Sequence, residues 1–156
     1  MTEKEKMLAG QLYKASDPIL IAERLNARKL MKRFNDSDPE DSALRNSILK
    51  ELIGKSGENF WVEPPFSCDY GYNIEIGDNV FINFNCVILD VCKVTIGDRV
   101  LIAPNVQLYT ASHPLDAATR AEAGEFGKPL SIGSDVWIGG ASILCPGVSI
   151  GDRAVI

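Results

Sequence analysis

Aliphatic residues recur at every sixth position over much of the chain from residue 76 onward. The positions are Ile76, Ile82 and Ile88, then Ile96, Ile102 and Leu108, and then Ile132, Ile138, Leu144, Ile150 and Ile156. Neither the 3.6-residue period of a helix nor the two-residue alternation of a strand gives a period of six. Six residues suffice for one short strand and one corner. The pattern therefore predicts a parallel β-helix in which successive coils stack.

A second set of residues lies four positions after most of these aliphatics and is small or β-branched. Its members are Val80, Cys86, Cys92, Val100, Val106, Val136, Ser142, Val148 and Ala154. We expect both sets to point inward, where each stacked Ile or Leu contributes about 1.5–3 kcal/mol of burial. Glycine follows directly at Gly77, Gly97, Gly133 and Gly151. These glycines are expected to take positive φ angles at the corners.

Residues 1–57 carry helical signals instead. Asp17-Pro18 and Asp38-Pro39 each place an N-cap residue before a proline at the first helical position. Two apolar stripes follow at helical spacing: Ala27, Leu30, Met31 and Phe34, and then Leu44, Ile48, Leu49 and Leu52. Gly54 is a plausible stop for the second helix. Because so few helices cannot bury these stripes alone, we expect them to pack on the β-helix.

Composition excludes several classes of protein. The net charge is −5, with 11 Lys and Arg against 9 Asp and Glu in residues 1–57, and 5 against 12 in residues 58–156. An acidic domain without a basic stripe argues against nucleic-acid binding. No apolar run reaches the length of a membrane span, and the charged N-terminus MTEKEK has no signal-peptide core. The four cysteines, Cys68, Cys86, Cys92 and Cys145, form no CxxC pair and suggest reduced core thiols of a cytoplasmic protein.

The hexad pattern stops between Tyr109 and Leu130, so this segment is expected to leave the β-helix as an extruded loop. His113, the only histidine, lies near its start. Loops on rigid repeat scaffolds often carry function, and an imidazole is a suitable general base for a hydroxyl. A lone histidine also makes a metal site improbable.

Other candidate side chains are less convincing. Ser112 adjoins His113, but adjacent residues on an extended chain point apart, which disfavours a Ser–His pair. Cys145 could act as a nucleophile in principle, although a structural corner role is the preferred interpretation. Trp137 is interpreted as an inward or flanking structural residue.

The hexads, the N-terminal helices and the segment ILDVCKVTIGDRVLIAPNVQLYTASHPLD together resemble the maltose and galactoside O-acetyltransferases, a family of hexapeptide-repeat acyltransferases. The likeness is strongest to the maltose acetyltransferase branch. It implies a mainly β fold: a left-handed parallel β-helix over residues 58–156, with 109–130 extruded, and an N-terminal α-helical cap over residues 1–57. It also implies a homotrimer with active sites between subunits, and direct acetyl transfer from acetyl-CoA to a sugar hydroxyl without a metal.

The resemblance further assigns roles to individual residues. His113 falls on the catalytic base, and Asn83 on an asparagine that contacts both the acceptor and the transition state. Asp69 falls on an acceptor-contacting position that is serine in the galactoside branch. Asp17 and Arg24 fall near acceptor contacts from the helical cap.

Two further positions refine the expected substrates. Gly140 falls on a position whose backbone contacts coenzyme A. Val91 stands where the galactoside branch has an acceptor-binding aspartate, which favours a maltose- or glucose-like acceptor over a galactoside.

Two alternative functions stay open. Relatives continue beyond "IGDRAVI" with another coil and a Lys/Arg-bearing segment, so the β-helix is expected to be incomplete at its C-terminal end and coenzyme A binding to be weakened. One alternative is therefore an inactive, truncated trimeric scaffold. The other is a hexapeptide acyltransferase with a different hydroxyl or amine acceptor.

Overall fold

The computed structural model describes residues 1–122 and 124–156; residue 123, inside the predicted loop 109–130, lies outside the described residues. The chain forms, in order, α1 (Glu3–Leu8), β1 (Tyr13–Lys14), α2 (Pro18–Asn35), α3 (Ser42–Leu52), β2 (Lys55–Ser56), β3 (Trp61–Val62), β4 (Phe66–Cys68), β5 (Ile74–Ile76), β6 (Phe81–Ile82), β7 (Cys86–Leu89), β8 (Val94–Ile96), β9 (Leu101–Ile102), β10 (Gln107–Tyr109), β11 (Ala111–Ser112), α4 (Ala117–Ala121), β12 (Gly124–Gly127), β13 (Leu130–Ile132), β14 (Trp137–Ile138), β15 (Ile143–Leu144) and β16 (Ser149–Ile150).

Most of these short strands stack into three parallel sheets. The first sheet has the order β16-β13-β8-β5-β2, the second β14-β9-β6-β3, and the third β15-β10-β7-β4. The chain visits the three sheets in turn, so each circuit is one coil of a three-sided prism. We call the turn from the first to the second sheet the first corner, the next turn the second corner, and the return to the first sheet the third corner. The predicted fold class, a parallel β-helix with an N-terminal helical cap, is confirmed.

The aliphatic ladder forms the interior of the prism. Its members from Ile76 to Leu144 are at most 6% exposed, and adjacent strands align them, as in the pairing of Ile82 with Ile102. Ile150 is half-buried and Ile156 is 48% exposed. Cys92 is buried outside the ladder, with its Sγ 3.4 Å from the Met7 carbonyl oxygen.

The glycines have a different role from the one predicted. Positive φ angles occur two residues after them, at Asn79 (56°), Arg99 (54°), Asp135 (59°) and Arg153 (62°). The glycines themselves allow coils to approach closely. A Cβ on Gly77 would lie 2.3 Å from Asp98 Oδ1, and one on Gly97 would lie 2.7 Å from the Gly133 carbonyl carbon. Steric contact between coils, rather than backbone conformation, therefore selects glycine here.

A ladder of side-chain oxygens joins successive first corners. Asp78 Oδ1 accepts from the backbone N–H of Glu58 (2.7 Å), and Asp98 Oδ1 accepts from that of Asp78 (2.8 Å). Ser134 Oγ continues the ladder by accepting from Asp98 N–H (3.1 Å). Each corner thus satisfies a donor that the preceding coil leaves unpaired.

The helical cap packs on the first coil. As predicted, Asp17 is the N-cap of α2 with Pro18 at the first helical position, and Ala27, Leu30, Met31 and Phe34 are buried. The prediction that Asp38 caps the second helix was wrong. Helix α3 begins at Ser42 after the N-cap Asp41, and Asp38 accepts a hydrogen bond from Glu40 N–H in the preceding turn. Leu44 is correspondingly 40% exposed, whereas Arg45 is buried. The side-chain amide of Asn35 donates from Nδ2 to the Phe66 carbonyl and accepts at Oδ1 from the Phe66 N–H, which attaches α2 to β4.

The segment that interrupts the hexads has secondary structure of its own. It contains β11, α4 and β12, and β12 pairs antiparallel with β11 on one side and with β1 on the other. The register places Tyr13 opposite Glu125 and Ser112 opposite Phe126. The N-terminal segment therefore holds this excursion against the prism. None of the helices in the described residues has the length and apolar character to cross a bilayer.

Candidate active site

A cavity of about 230 Å³ lies at the third corner, between the cap and the excursion. Its walls are formed by Tyr13, Ala15, Arg24, Arg28, Asp69, Tyr70, Val91 and Glu125. Three parts of the chain contribute: the N-terminal segment with α2, the third corners of two successive coils, and β12. The structure thus brings the predicted acceptor residues Arg24 and Asp69 together in one cavity.

Hydrogen bonds fix the polar groups of this cavity. Arg24 donates from Nη1 to the Tyr70 hydroxyl (2.6 Å) and from Nη2 to the Ala15 carbonyl (2.7 Å). The Tyr13 hydroxyl donates to Glu125 Oε1 (2.8 Å), and Tyr13 is only 2% exposed. The Arg24–Tyr70 and Tyr13–Glu125 hydrogen bonds join the N-terminal part of the chain to the third corner and to β12, so these side chains are oriented before any ligand binds.

Asp69 is the titrating carboxylate of the cavity. Burial, reinforced by the negative charge of Glu125, raises the pKa of Asp69 to about 6, while Arg24 and Arg28 act in the opposite direction. At pH 7 and above the carboxylate is therefore mainly ionised and accepts hydrogen bonds only. Two carboxylates and two guanidinium groups around a small volume suit a ligand that carries several hydroxyl groups.

His113 follows β11 and is exposed. Its Nδ1 lies 3.2 Å from the carbonyl oxygen of Gly124, the first residue of β12. When Nδ1 carries the proton, it donates to that carbonyl, and the Nε2 lone pair becomes the proton acceptor. The contact therefore restricts the orientation of the ring. Among the described residues, His113 does not line the cavity that contains Asp69.

Asn83 and Gly140 lie elsewhere, at the second corner. Asn83 follows Ile82 of β6, its backbone N–H donates to the Ile102 carbonyl (2.9 Å), and its Oδ1 accepts from Phe84 N–H (2.8 Å). Gly140 follows β14, two coils further along the same corner, and is exposed. The four-residue strand β7, about 13 Å long, separates this corner from the third corner within one coil.

Asp17 has a structural contact that accounts for its position. Its Oδ1 accepts from the backbone N–H groups of Ile19 (3.0 Å) and Leu20 (3.4 Å), as an N-cap does. It lies two residues from Ala15 of the cavity wall but does not line the cavity itself. The structure therefore places Asp17 close to the candidate site with its carboxylate engaged by the helix.

The sequence interpretation missed Tyr13, Arg28 and Glu125. Glu125 reaches the cavity because β12 pairs with β1, and two strands of two and four residues give no periodic signal. Arg28 follows Arg24 by one helical turn, so the assignment of Arg24 was a signal that could have identified it.

Two residues differ in part from their predicted placement. Cys145 lies at a corner, directly after β15, but is exposed and so is not a core thiol, whereas the other three cysteines are buried as predicted; all four are free. Trp137 flanks the inward Ile138 on its strand and is 54% exposed, so only the inward alternative was wrong. It continues an outward row on the second sheet in which Trp61, Phe81 and Leu101 pair in register.

A second cavity, of about 570 Å³, lies beyond Tyr70 between α2 and the prism. Its walls are mainly apolar, and it contains none of the predicted site residues. Within residues 1–122 and 124–156, no group of three or more His, Cys, Asp or Glu side chains is placed to hold a metal ion.

Comparison with known families gives two matches. Residues 6–57 match the family described as "Maltose acetyltransferase hexapeptide capping motif". Residues 73–109 and 129–156 match "Hexapeptide repeat of succinyl-transferase". The matched ranges correspond to the helical cap and to the coils on both sides of the excursion.

Individual proteins are similar over nearly the whole chain. The crystal structure of a maltose O-acetyltransferase from Clostridium difficile 630 superposes with a TM-score of 0.98 at 50% identity, covering 99% of this chain and 83% of that one. A galactoside acetyltransferase in complex with coenzyme A gives 0.95 at 44%, covering 99% and 78%. The galactoside O-acetyltransferase of Escherichia coli (strain K12) is 44% identical over 156 residues, which is 100% of this chain and 77% of that protein.

Proposed function

The chain belongs to the family of maltose and galactoside O-acetyltransferases, which are acetyl-CoA-dependent enzymes, and from this premise we propose that it acetylates a hydroxyl of a glucose- or maltose-like sugar. The observation that carries the proposal is the polar cavity at the third corner. It is smaller than the pockets that hold drug-sized ligands, and its carboxylates and guanidinium groups can bind several hydroxyls at once. Val91 supports a non-galactoside acceptor, because an apolar side chain cannot replace the aspartate of the galactoside branch.

His113 acts as the general base in this proposal. Nε2 takes the proton of the attacking sugar hydroxyl while the oxygen bonds to the thioester carbonyl carbon of acetyl-CoA. The resulting tetrahedral oxyanion collapses with cleavage of the C–S bond. The imidazolium then returns the proton to the coenzyme A thiolate, which leaves an acetylated sugar and no covalent enzyme intermediate. The contact of Nδ1 with the Gly124 carbonyl supports this role, because it favours the tautomer with a basic Nε2.

Asn83 and Gly140 serve the acetyl donor and the transition state. The Asn83 amide is suited to donate to the oxyanion, and the exposed backbone at Gly140 can approach coenzyme A. Both lie at the second corner, whereas His113 and Asp69 belong to the third. One subunit therefore does not complete the site by itself, and we propose that neighbouring subunits of a homotrimer pair the two corners.

The outward apolar row supports such an assembly. Leu101 and Trp137 are 52% and 54% exposed, and they continue the row of Trp61 and Phe81 on the second sheet. A contiguous row of large apolar side chains on one face of a prism is suited to pack against another copy. The four free cysteines are consistent with the reducing cytoplasm as the site of action.

Thiol release from acetyl-CoA, measured with and without acceptors, tests the proposal. Glucose and maltose are expected to accelerate release well above the rate without acceptor and above the rate with a galactoside. A faster reaction with a galactoside or an amine would support a different acceptor class. No release with any acceptor, from protein that light scattering shows to be trimeric, would favour an inactive scaffold.

A further inference from the structure

Asp90 is a fully buried carboxylate that the proposed reaction does not use. It lies directly after β7 at the third corner and is 0% exposed. Its Oδ1 accepts from the backbone N–H groups of Asp69 (3.0 Å) and Tyr70 (2.9 Å). Its Oδ2 accepts from those of Gly71 (2.7 Å) and Asn73 (3.3 Å). One side chain thus binds four backbone donors of a single turn.

These four donors belong to the turn between β4 and β5, residues 69–73. In the adjacent strands Cys68 pairs with Ile88, so the turn begins where the parallel pairing of backbone groups ends. Gly71 has a φ of +83°, which directs successive N–H groups toward one point. Asn73 closes the arrangement from the other side by donating from Nδ2 to the Asp90 carbonyl (2.7 Å). The Asp90 carboxylate therefore replaces the missing strand neighbour of this turn.

The turn supplies two of the residues that line the candidate acceptor cavity. Asp69 and Tyr70 both line it, and the Tyr70 hydroxyl accepts from Arg24. We propose that Asp90 is a positioning residue for acceptor binding: its carboxylate sets the turn 69–73 and thereby the placement of Asp69 and Tyr70. This inference rests on the proposed function for its effect on catalysis, but not for its effect on the turn.

The number of donors explains why a carboxylate is required. Both oxygens of Asp90 accept two hydrogen bonds each, so an amide, which has a single acceptor oxygen, would direct its NH₂ group at two backbone donors. The next coil offers a contrast. Thr110 stands at the equivalent position, accepts only from Cys92 N–H (3.0 Å), and donates to the Leu89 carbonyl (2.6 Å). A neutral hydroxyl suffices there because one donor needs a partner.

The test compares Asp90→Asn with Asp98→Asn. Asp98 binds the previous coil through Oδ1 alone, to Asp78 N–H (2.8 Å), and an amide oxygen can keep that bond. For Asp90→Asn we expect kcat/KM for the acceptor to fall roughly 10- to 100-fold, mainly through KM, since hydrogen bonds from backbone N–H groups to a buried carboxyl group are lost. KM for acetyl-CoA should stay within about twofold, because the donor is assigned to another corner. Asp98→Asn should leave both parameters unchanged.

A second readout does not depend on turnover. Amide hydrogen exchange over residues 68–73 should be faster in Asp90→Asn than in wild type, and unchanged in Asp98→Asn. If Asp90→Asn does not fold, Asn73→Ala removes the bond from Nδ2 to the Asp90 carbonyl (2.7 Å) and the longer one to the Val91 carbonyl (3.5 Å), and it should show the same two changes at smaller size.

The outcomes separate this inference from the proposed function. If the wild type acetylates no sugar, the proposed acceptor is wrong, yet the exchange experiment still decides whether Asp90 holds the turn. Wild-type exchange in Asp90→Asn would overturn the inference. So would an equal rise in KM for acceptor and acetyl-CoA, because a general loss of structure would then explain the defect.

Discussion

The first and third corners of the prism both provide side-chain acceptors for backbone N–H groups of the preceding coil, but they do so in different ways. Each first corner between named strands has four residues, and at two successive ones the carboxylate oxygen of Asp78 or Asp98 accepts a backbone N–H of the coil before it in an exposed hydrogen bond. The third corners have five, four, twenty and four residues in successive coils. There the corresponding side chains, Asp90 and Thr110, are buried.

The difference shows how a repeat scaffold can carry a specific site. At the first corner every coil is alike, so each bond contributes the modest net energy of an exposed hydrogen bond, about 0.5–1.5 kcal/mol. At the third corner the coils differ, and buried donors need individual partners because an unpaired one is costly. Regular corners thus give a rigid support, while irregular corners present Asp69, Tyr70 and His113 in fixed positions.

The largest expected effect is at the third corner. Replacing His113 with Ala should lower kcat by about 10²–10⁴-fold, the usual contribution of a general base, without changing the unfolding temperature. Steady-state kinetics and thermal unfolding measure the two properties separately. Ser112→Ala is the matched control, since Ser112 is the neighbouring residue of the same excursion. A histidine variant with wild-type turnover would remove His113 from the mechanism.

The next effect concerns the first corner and changes stability rather than activity. Gly97→Ala places a Cβ 2.7 Å from the Gly133 carbonyl carbon and from Ser134 Oγ, so the coils must separate. We expect the free energy of unfolding to fall by about 1–3 kcal/mol. Gly140→Ala is the control: at the second corner the new Cβ would lie 3.5 Å from the Pro104 carbonyl oxygen, an ordinary van der Waals distance. Urea titration of both variants checks the difference; equal losses would mean that close approach does not select glycine.

Most of the scaffold could be predicted from the sequence because its physics is local and periodic. The ladder that includes Ile82, Ile102 and Ile138 repeats one inward position per face, and a period of six has few structural solutions. The periodic pattern that revealed the ladder also led to the wrong role for glycine. The pattern marks the corner, but contact with the next coil, such as Gly77 against Asp98, is visible only in three dimensions.

The candidate site was less accessible from the sequence. Arg24 and Asp69 came from family resemblance, and the structure places both in the cavity. Glu125 and Tyr13 were not identified from the sequence. Their hydrogen bond joins residues far apart in the chain, and it depends on the pairing of two very short strands. Asp90 carries no periodic or motif signal, since its function is to bind backbone groups of a different coil.

A smaller effect should appear when Asp69 is replaced by Asn, and its sign depends on pH. The pKa of Asp69 is raised from 3.8 to about 6, chiefly by burial, so the folded protein resists ionisation of this group. The contribution of Asp69 to wild-type stability should therefore decline as pH rises from about 4 to 6 and then stay level. Asp69→Asn lacks this penalty and should be more stable than wild type at pH 8, by on the order of 1 kcal/mol, but not at pH 4.

The same variant should bind the acceptor less well, because an amide cannot replace an ionised acceptor of hydroxyl hydrogen bonds. Thermal unfolding at the two pH values and acceptor KM at pH 8 measure the opposed changes. Glu75→Gln, a surface carboxylate paired with Lys93, is a control that should alter neither KM nor the pH dependence of stability appreciably. A variant with wild-type KM would show that Asp69 does not contact the acceptor.

The smallest effect is expected for the Arg99–Asp135 ion pair on the surface of the first corner. Arg99 Nε and Nη2 contact Asp135 Oδ1 and Oδ2 at 2.7 and 3.1 Å, yet both side chains are about half exposed. Asp135→Asn should shift Tm by less than about 2 °C, because exposed pairs contribute little. Asp135→Ala should lower Tm more, since Asp135 has a φ of 59°, a conformation that is less favourable for alanine than for asparagine, although Ala141 adopts it. If calorimetry instead found the asparagine variant as unstable as Gly97→Ala, charge pairing rather than backbone conformation and close approach would hold the regular corner together.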